Sequence, residues 1–361
     1  MKFYQKYLLT FFKTDQALKP NQLIHVLHGK RTPSILYLVE MHELQPLFEW
    51  VPQWTVEQLQ HLFQQYVREG WLTEQEAGFI LTTAGQNQVR AFNQKHDVYR
   101  VNHLRWANNW ASFFNYWLFL TQIYSEASYA STNYRPLLKA STVQQQVKHF
   151  LASSSQPLTE QAKQWQQELF EIFSAMPSHE ADFLSAHLPG HNHPGLTRQQ
   201  LMVAFDLEKD EYLVQQAAIV QKLLDQIFQS KGESLHSKLL QANWQQHDQG
   251  LSKSTWQSLQ LLQSGQTVNA VASKRHLKVS TIYEHILEVA FVHPDFNYQS
   301  FLQSQRVPKI KALLEKQPAM TYQAVREVIP EAQFMEYRLL QLAHWRKERE
   351  DDSRKLTEKT F

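Results

Sequence analysis

Three histidines in SAHLPGHNHPG, His187, His191 and His193, have the residue type and closeness that a zinc site needs. Three carboxylates, Glu208, Asp210 and Glu211, could share acid–base work. Neither set is completed. Structural zinc sites close with four ligands on a firm scaffold, and without a clear fourth ligand or a rigid helix beneath the histidines the favoured reading is a solvated loop. The carboxylates stand where a helix over Tyr212 to Phe228 would open, and negative charge offsets the positive end of a helix dipole. A nucleotide-hydrolysing loop needs an upstream glycine and a hydroxyl directly after its lysine. Gly29-Lys30-Arg31-Thr32 interposes an arginine and lacks that glycine, so it reads as a connection between helices. The aromatic run Trp106, Trp110, Phe113, Phe114, Tyr116 and Trp117 could stack single-stranded bases. Only Arg100 and Arg105 accompany it, whereas such platforms line basic grooves, so core packing is the favoured reading. No enzyme, cofactor or metal site is expected.

The sharper pattern lies at 266–291, QTVNAVASKRHLKVSTIYEHILEVAF. Val268, Val271 and Ala272 share one face of a short helix, Leu277 and Val279 bury a turn, and Ile282, Ile286, Val289 and Ala290 stripe a second helix. Ser280 is the expected N-cap of that second helix, its hydroxyl accepting an orphan amide. The preceding helix, Ser254 to Leu262 with Trp256, Leu259 and Leu262, is ended by Gly265 and completes a trihelical set. This is helix-turn-helix geometry. With the second helix anchored on one side, Ser280, Thr281, Tyr283, Glu284, Leu287 and Glu288 are expected on its outer and lateral surfaces, where its first residues could reach base edges. Glu284 and Glu288 would then put negative charge where phosphates lie, and an outward Leu287 suits a protein contact better than DNA.

Composition sets the frame around these elements. A chain of 361 residues can hold two or three domains, and only 9 glycines beside abundant Gln, Leu and Ala point to a mainly α fold. A formal charge of +2 is too small for binding by bulk electrostatics, so DNA affinity would come from local clusters: Lys274, Arg275 and Lys278, or Lys30 and Arg31. The absence of cysteine fits a reducing cytosol, and a cytoplasmic location is expected. The opening MKFYQKYLLTFFK is too interrupted for a signal peptide. Asn108, Asn109, Asn115 and Gln122 break the apolar stretch Trp106 to Tyr129, which reads as a buried helix rather than a membrane span.

Four regions follow. Residues 1–100 read as a winged-helix-like domain: helices over Gln22 to Leu27, from Thr32-Pro33, and after Thr55, then strand-like pieces Gly70-Trp71-Leu72 and Phe79 to Thr82, closed by Gly85. Residues 101–249 read as a helical scaffold with loop-like breaks at Asn133 to Ser141, Ser153 to Leu158 and Ser178 to Leu196. Residues 250–346 form the helix-turn-helix domain, and 347–361 a charged tail.

The run LHGKRTPSIL at 27–36, the helix after it and the FILTTAG ending resemble the winged-helix domain beside the catalytic core of RecQ-type DNA helicases, over Leu18 to Gln88. The turn SKRHLKVSTIYEHI and the later MTYQAVREVIPEAQFMEYRLLQLA resemble the helicase helix-turn-helix domain. That domain occurs at the end of some RecQ-type helicases and in stand-alone proteins encoded beside them. The first half is also similar to sigma-factor and LuxR-type motifs, with two departures: His276 where glycine is common and Arg275 where an aliphatic residue is common. Together the ends resemble the stand-alone YpbB-like family. That resemblance implies a non-enzymatic accessory of a RecQ-type helicase in DNA repair or recombination, which binds DNA, the helicase or both. Lys30, Arg31, Lys274, Arg275 and Lys278 would contact phosphates, while Ser280, Thr281, Tyr283 and Glu284 would face bases or a partner. The rival reading is a transcription regulator that reads a specific duplex site with the helix at Ser280.

Overall fold

The computed structural model describes residues 2–50, 54–96, 103–107, 109–230 and 232–358, with the side chains of 103 and 348–358 excepted. Arg100, Asn108, the 100/101 boundary and the last residues of the tail lie outside the described residues. The chain is mainly α, with one two-stranded sheet among the described residues, and it divides into two compact units: residues 1–30 with 38–250, and residues 31–37 with 251–361.

The first unit begins with α1 (Phe3–Leu9), α2 (Pro20–Leu27), α3 (Pro33–His42) and α4 (Val56–Arg68), then β1 (Leu72–Gln75), β2 (Gly78–Leu81) and α5 (Thr83–Asn93). Residues 31–37, the start of α3 among them, count with the second unit. Helix α4 opens with a reciprocal capping box: Thr55 Oγ1 accepts the Gln58 amide at 3.3 Å, and Gln58 Oε1 accepts the Thr55 amide at 2.9 Å. It buries Leu59, Leu62, Phe63 and Tyr66, and Gly70, at φ +72°, turns the chain into the hairpin. The strands pair antiparallel from Leu72 opposite Leu81 to Gln75 opposite Gly78. Leu18 pairs with Phe79 through two backbone hydrogen bonds of 3.0 Å, so the hairpin gains a third, single-residue rung. The three helices α2 to α4 followed by the hairpin, with the Leu18 rung ahead of α2, make a winged-helix-like order of elements.

Two details differ from the sequence reading. β1 begins at Leu72 and runs on through Thr73, Glu74 and Gln75, whose polar side chains are exposed on the outside of the hairpin. Gly85 lies in the first turn of α5, where Thr82 Oγ1 accepts its amide at 3.0 Å. A side chain there would put Cβ 2.2 Å from the Trp71 carbonyl oxygen, so the glycine serves a close approach rather than a strand end.

The rest of this unit is α6 (His103–Trp106), α7 (Trp110–Ser128), α8 (Ser141–Ala152), α9 (Leu158–Ser174), α10 (Ser178–Ser185), α11 (Arg198–Ala204), α12 (Lys209–Gln229) and α13 (Leu235–Gln246). The aromatic run is its core. Trp106, Phe113, Phe114 and Trp117 are buried with Trp165 and Phe183, which leaves no stacking platform among them for a base. Helix α10 occupies part of the span expected as a loop, because Pro177 sets the extended backbone before its first turn. No described helix is long and apolar enough to cross a membrane.

The second unit holds α14 (Lys253–Gln263), α15 (Val268–Lys274), α16 (Val279–Val292), α17 (Val307–Lys316), α18 (Tyr322–Val328) and α19 (Phe334–Glu358). It consists of two successive trihelical sets, α14 to α16 and α17 to α19. Their middle helices open alike. Thr267 Oγ1 accepts the Ala270 amide and Thr321 Oγ1 accepts the Ala324 amide, each at 3.2 Å, and the valine after each alanine, Val271 or Val325, is fully buried.

Candidate nucleic-acid interface

The turn between α15 and α16 passes through His276, whose φ of +53° is left-handed. Glycine suits such a position because it has no Cβ to strain, which is why the departure at His276 falls here and not elsewhere in the turn. The Leu277 amide returns to the Ala272 carbonyl at 2.9 Å, closing α15 in the manner of a left-handed cap. Extended backbone at Lys278 makes it the N-cap of α16, so the helix starts at Val279. Ser280 is therefore a first-turn residue and not the cap.

Helix α16 has two different halves. Lys278, Ser280 and Glu284 are exposed, with Thr281 and Tyr283 half-buried, whereas every residue from His285 to His293 is buried. Leu287, expected outward, is 1% exposed, and Glu288, expected beside phosphates, is 4% exposed. The helix is covered on more than one side: α14 and α15 pack on it, and so does α19, whose Arg346 donates to the Ala290 and Phe291 carbonyls. A helix enclosed on all sides reads as apolar all round, and α16 does so from Ile286 on except at Glu288.

Glu288 turns inward onto α14. Its Oε1 accepts the Ser252 amide at 2.7 Å, and its Oε2 accepts the Ser252 hydroxyl at 2.9 Å and the Thr255 hydroxyl at 2.6 Å. Ser252 is the N-cap of α14, so the carboxylate holds the positive end of that helix. Arg31 Nη1 lies 3.5 Å from the same carboxylate, with both side chains mostly buried. Arg31 is thus a structural partner of Glu288 rather than an exposed phosphate contact.

Arg275 is also engaged within the chain. Its Nη2 donates to Ser254 Oγ and Gln257 Oε1, each at 3.0 Å, and its Nη1 donates to the Ser254 carbonyl and to Ser258 Oγ. Ser258 Oγ is 2.8 Å from Nδ1 of the buried His285. With the guanidinium donating to the hydroxyl, the hydroxyl can donate onward only to an unprotonated Nδ1. Burial first, and then the Arg275 charge, lower the His285 pKa, which fits a neutral ring. An arginine where an aliphatic residue is common therefore ties the turn to α14.

The expected site residues thus separate. The structure brings Lys274, Lys278, Ser280, Thr281, Tyr283 and Glu284 together around the turn and the first half of α16, with Lys253 exposed at the start of α14. Arg31 and Arg275 are held by other side chains, and Lys30 is exposed in the first unit. With Glu288 turned inward, Glu284 is the carboxylate left in the open half of α16.

The winged-helix-like part carries mostly carboxylates among the charged residues exposed on α4 and the hairpin. Exposed positions on α4, at its end and along the hairpin include Glu57, Glu69, Glu74 and Glu76 against Arg68. A duplex docking there would meet carboxylates instead of phosphate contacts.

The histidines of the glycine-proline loop have separate partners. His187 is buried, its Nδ1 2.7 Å from the Phe183 carbonyl and its Nε2 3.0 Å from the Tyr212 hydroxyl, so it is a core residue and not a solvated one. His191 meets Glu126 at 2.7 Å. Among the described residues no three metal-binding side chains converge.

Residues 254–341, which run from α14 into the first turns of α19, match the family model of a helix-turn-helix domain. No curated protein and no solved structure matches the chain. That the second trihelical set repeats the opening of the first escaped the sequence reading, although Thr-x-x-Ala-Val at Thr267 and again at Thr321 was a usable signal.

Proposed function

We propose that the protein binds duplex DNA through its helix-turn-helix domain, as a non-enzymatic accessory of a RecQ-type helicase in DNA repair or recombination. The observation that carries the DNA reading is the first half of α16, exposed and flanked by Lys274 and Lys278 inside the matched domain. In this reading Lys274, Lys278 and Lys253 neutralise phosphates, and Ser280, Thr281, Tyr283 and Glu284 face the groove. A hydroxyl serves either base type, and a glutamate accepts from cytosine N4. The burial of Glu288 supports it by removing one of two carboxylates from the approach path.

The helicase half of the proposal draws support from the two sequence resemblances at opposite ends of the chain and from the missing phosphate loop. It is tested with the purified chain, a fluorescent duplex and a RecQ-type helicase from the same genome, by anisotropy at low and moderate salt. Salt-sensitive duplex binding that the helicase strengthens is the expected result. No association with either at low salt would remove the proposal. Binding to one duplex sequence far above all others, with no effect of the helicase, would move the protein to the class of transcription regulators.

A further inference from the structure

The two trihelical sets are built alike but present different chemistry at their turns. Counting equally from the threonine caps, Lys274 of the first set corresponds to Val328 of the second. The same count sets the buried Ala332 opposite Lys278, and the third helix of this set, α19, opens with Phe334. Val328 is 61% exposed and Phe334 36% exposed, so two of the few large apolar side chains left open to solvent bracket one turn. Scattered single exposed hydrophobes need no explanation, whereas a pair at the reading position of a helix-turn-helix does.

The charges around this turn are also changed. Glu327 and Glu331 are exposed beside it. The nearby arginines are directed at their own chain. Arg326 Nε donates to the Pro330 carbonyl at 3.3 Å, and Arg306 makes a two-point pair with the buried Glu336 at 2.9 and 3.1 Å. Arg338 donates to Gln341 and lies 3.5 Å over the Tyr37 ring. Lys309, Lys311 and Lys316 belong to α17, and Lys347 and Lys355 come more than three turns along α19, so none of the lysines of this set falls at the turn.

We propose that the second trihelical set is a protein-docking module whose turn, with Val328 and Phe334 as anchors between Glu327 and Glu331, takes a basic amphipathic helix from a different protein. A DNA backbone would meet two carboxylates there, against Arg326 alone among the exposed residues of the turn, whose Nε is turned to the Pro330 carbonyl. A second copy of this chain is disfavoured by symmetry, because an isologous contact would set Glu327 and Glu331 against themselves. Apolar anchors ringed by acidic groups fit a helix with apolar residues on one face and Lys or Arg beside them. Docking at this turn does not depend on DNA binding by the first set.

The test uses the whole protein and a labelled model helix of leucine and lysine, with a leucine–glutamate helix as control, read by anisotropy. The leucine–lysine helix is expected to bind, and V328S/F334S and E327Q/E331Q are each expected to weaken it about tenfold or more, the loss typical of central anchors. The leucine–glutamate helix is expected not to bind. Val328, Glu327 and Glu331 are exposed, so V328S and E327Q/E331Q should melt like the parent. Phe334 also packs edge-on against Tyr322 at 5.2 Å, so V328S alone, expected to weaken binding as well, keeps the test independent of stability. Absence of binding, or equal binding by parent and V328S/F334S, overturns the proposal. So does a concentration-dependent dimer that V328S/F334S abolishes, which would assign the turn to self-association. Loss of duplex binding in V328S/F334S would assign it to DNA and overturn the proposal as well. K274A/K278A serves as the separate control: loss of duplex binding with peptide binding intact would show that the two surfaces stand or fall apart.

Discussion

The Glu288 carboxylate lies 3.5 Å from the Arg31 guanidinium, and the same carboxylate accepts three hydrogen bonds from Ser252 and Thr255 at the start of α14. One buried charge thus holds a helix N-terminus and an arginine that is distant in sequence. Removing one partner of such an arrangement leaves the rest buried without compensation, which costs about 3–5 kcal/mol. Glu288→Ala is expected to lower stability by that order in urea unfolding, and Arg31→Ala by less, because Glu288 keeps its three uncharged donors. A change below about 1 kcal/mol for Glu288→Ala would mean that the carboxylate does not hold the unit together.

The placement of these charges separates two kinds of basic residue. A lysine that neutralises a phosphate contributes about 0.9 to the slope of log affinity against log salt for duplex DNA, and its removal should lower the slope by that amount. Lys274→Ala and Lys278→Ala are each expected to do so, weakening all duplex sequences alike. Arg31→Ala is expected to leave the slope unchanged, because its guanidinium faces Glu288. Titrations of a labelled duplex at several salt concentrations measure all three. A slope lowered by Arg31→Ala and not by Lys274→Ala would reverse the assignment.

Capping gives a contrast of the same kind. Thr267 accepts the Ala270 amide and caps α15, whereas Ser280 sits inside the first turn of α16. Loss of a threonine cap costs about 1 kcal/mol, while a surface change away from a cap stays within about 0.5 kcal/mol. Thr267→Ala is therefore expected to lower the denaturation midpoint, and Ser280→Ala to leave it nearly unchanged while it alters duplex binding. A larger stability loss at Ser280 than at Thr267 would restore the serine as the cap.

These residues also show what was legible in the sequence. The trihelical set at 254–292 and α2, α3 and α4 were readable because their buried faces repeat at helical spacing and their caps are local, whereas α1 and α5 were not read as helices. The orientation of Leu287 and Glu288 was not. Spacing within one helix shows which residues share a face, but not that other helices cover the remaining faces. Arg346 on α19 and Ser252 before α14 supply that cover, and both come from outside the motif. The role of Arg31 was hidden for the same reason, since its partner is far away in sequence. His187 reads as loop because SAHLPGHNHPG is locally loop-like, whereas its burial depends on Tyr212.

The left-handed His276 offers a direct test of the turn. A residue with a Cβ at φ +53° bears strain of roughly 1 kcal/mol that glycine would relieve, partly offset by the greater freedom of glycine in the unfolded chain. His276→Gly is expected to be neutral or stabilising by up to about 1 kcal/mol. His276→Val, with a branched Cβ, is expected to destabilise by about 1–2 kcal/mol. Thermal melts of both variants decide the matter, and equal melting temperatures would mean that the turn relaxes to another conformation.

Acid should weaken the fold through histidines held neutral inside it. His42 is buried, and burial first, with Lys13 adding to it, lowers its pKa from 6.5 to about 4, while Asp15 acts the other way. The sign follows from proton counting. Between pH 6.5 and about 4 the unfolded chain binds a proton at this residue that the folded chain refuses, so stability falls as pH falls through that window. The folding constant should drop by up to about tenfold per pH unit for one such group, and it levels off once the folded ring also titrates. His187 and His236, also lowered mainly by burial, add to the same trend. Urea unfolding at about pH 7, 6 and 5 is expected to show the decline. His42→Phe should make it shallower even if it changes stability at neutral pH, because the readout is the slope. A slope unaltered by His42→Phe would show that the proton goes elsewhere.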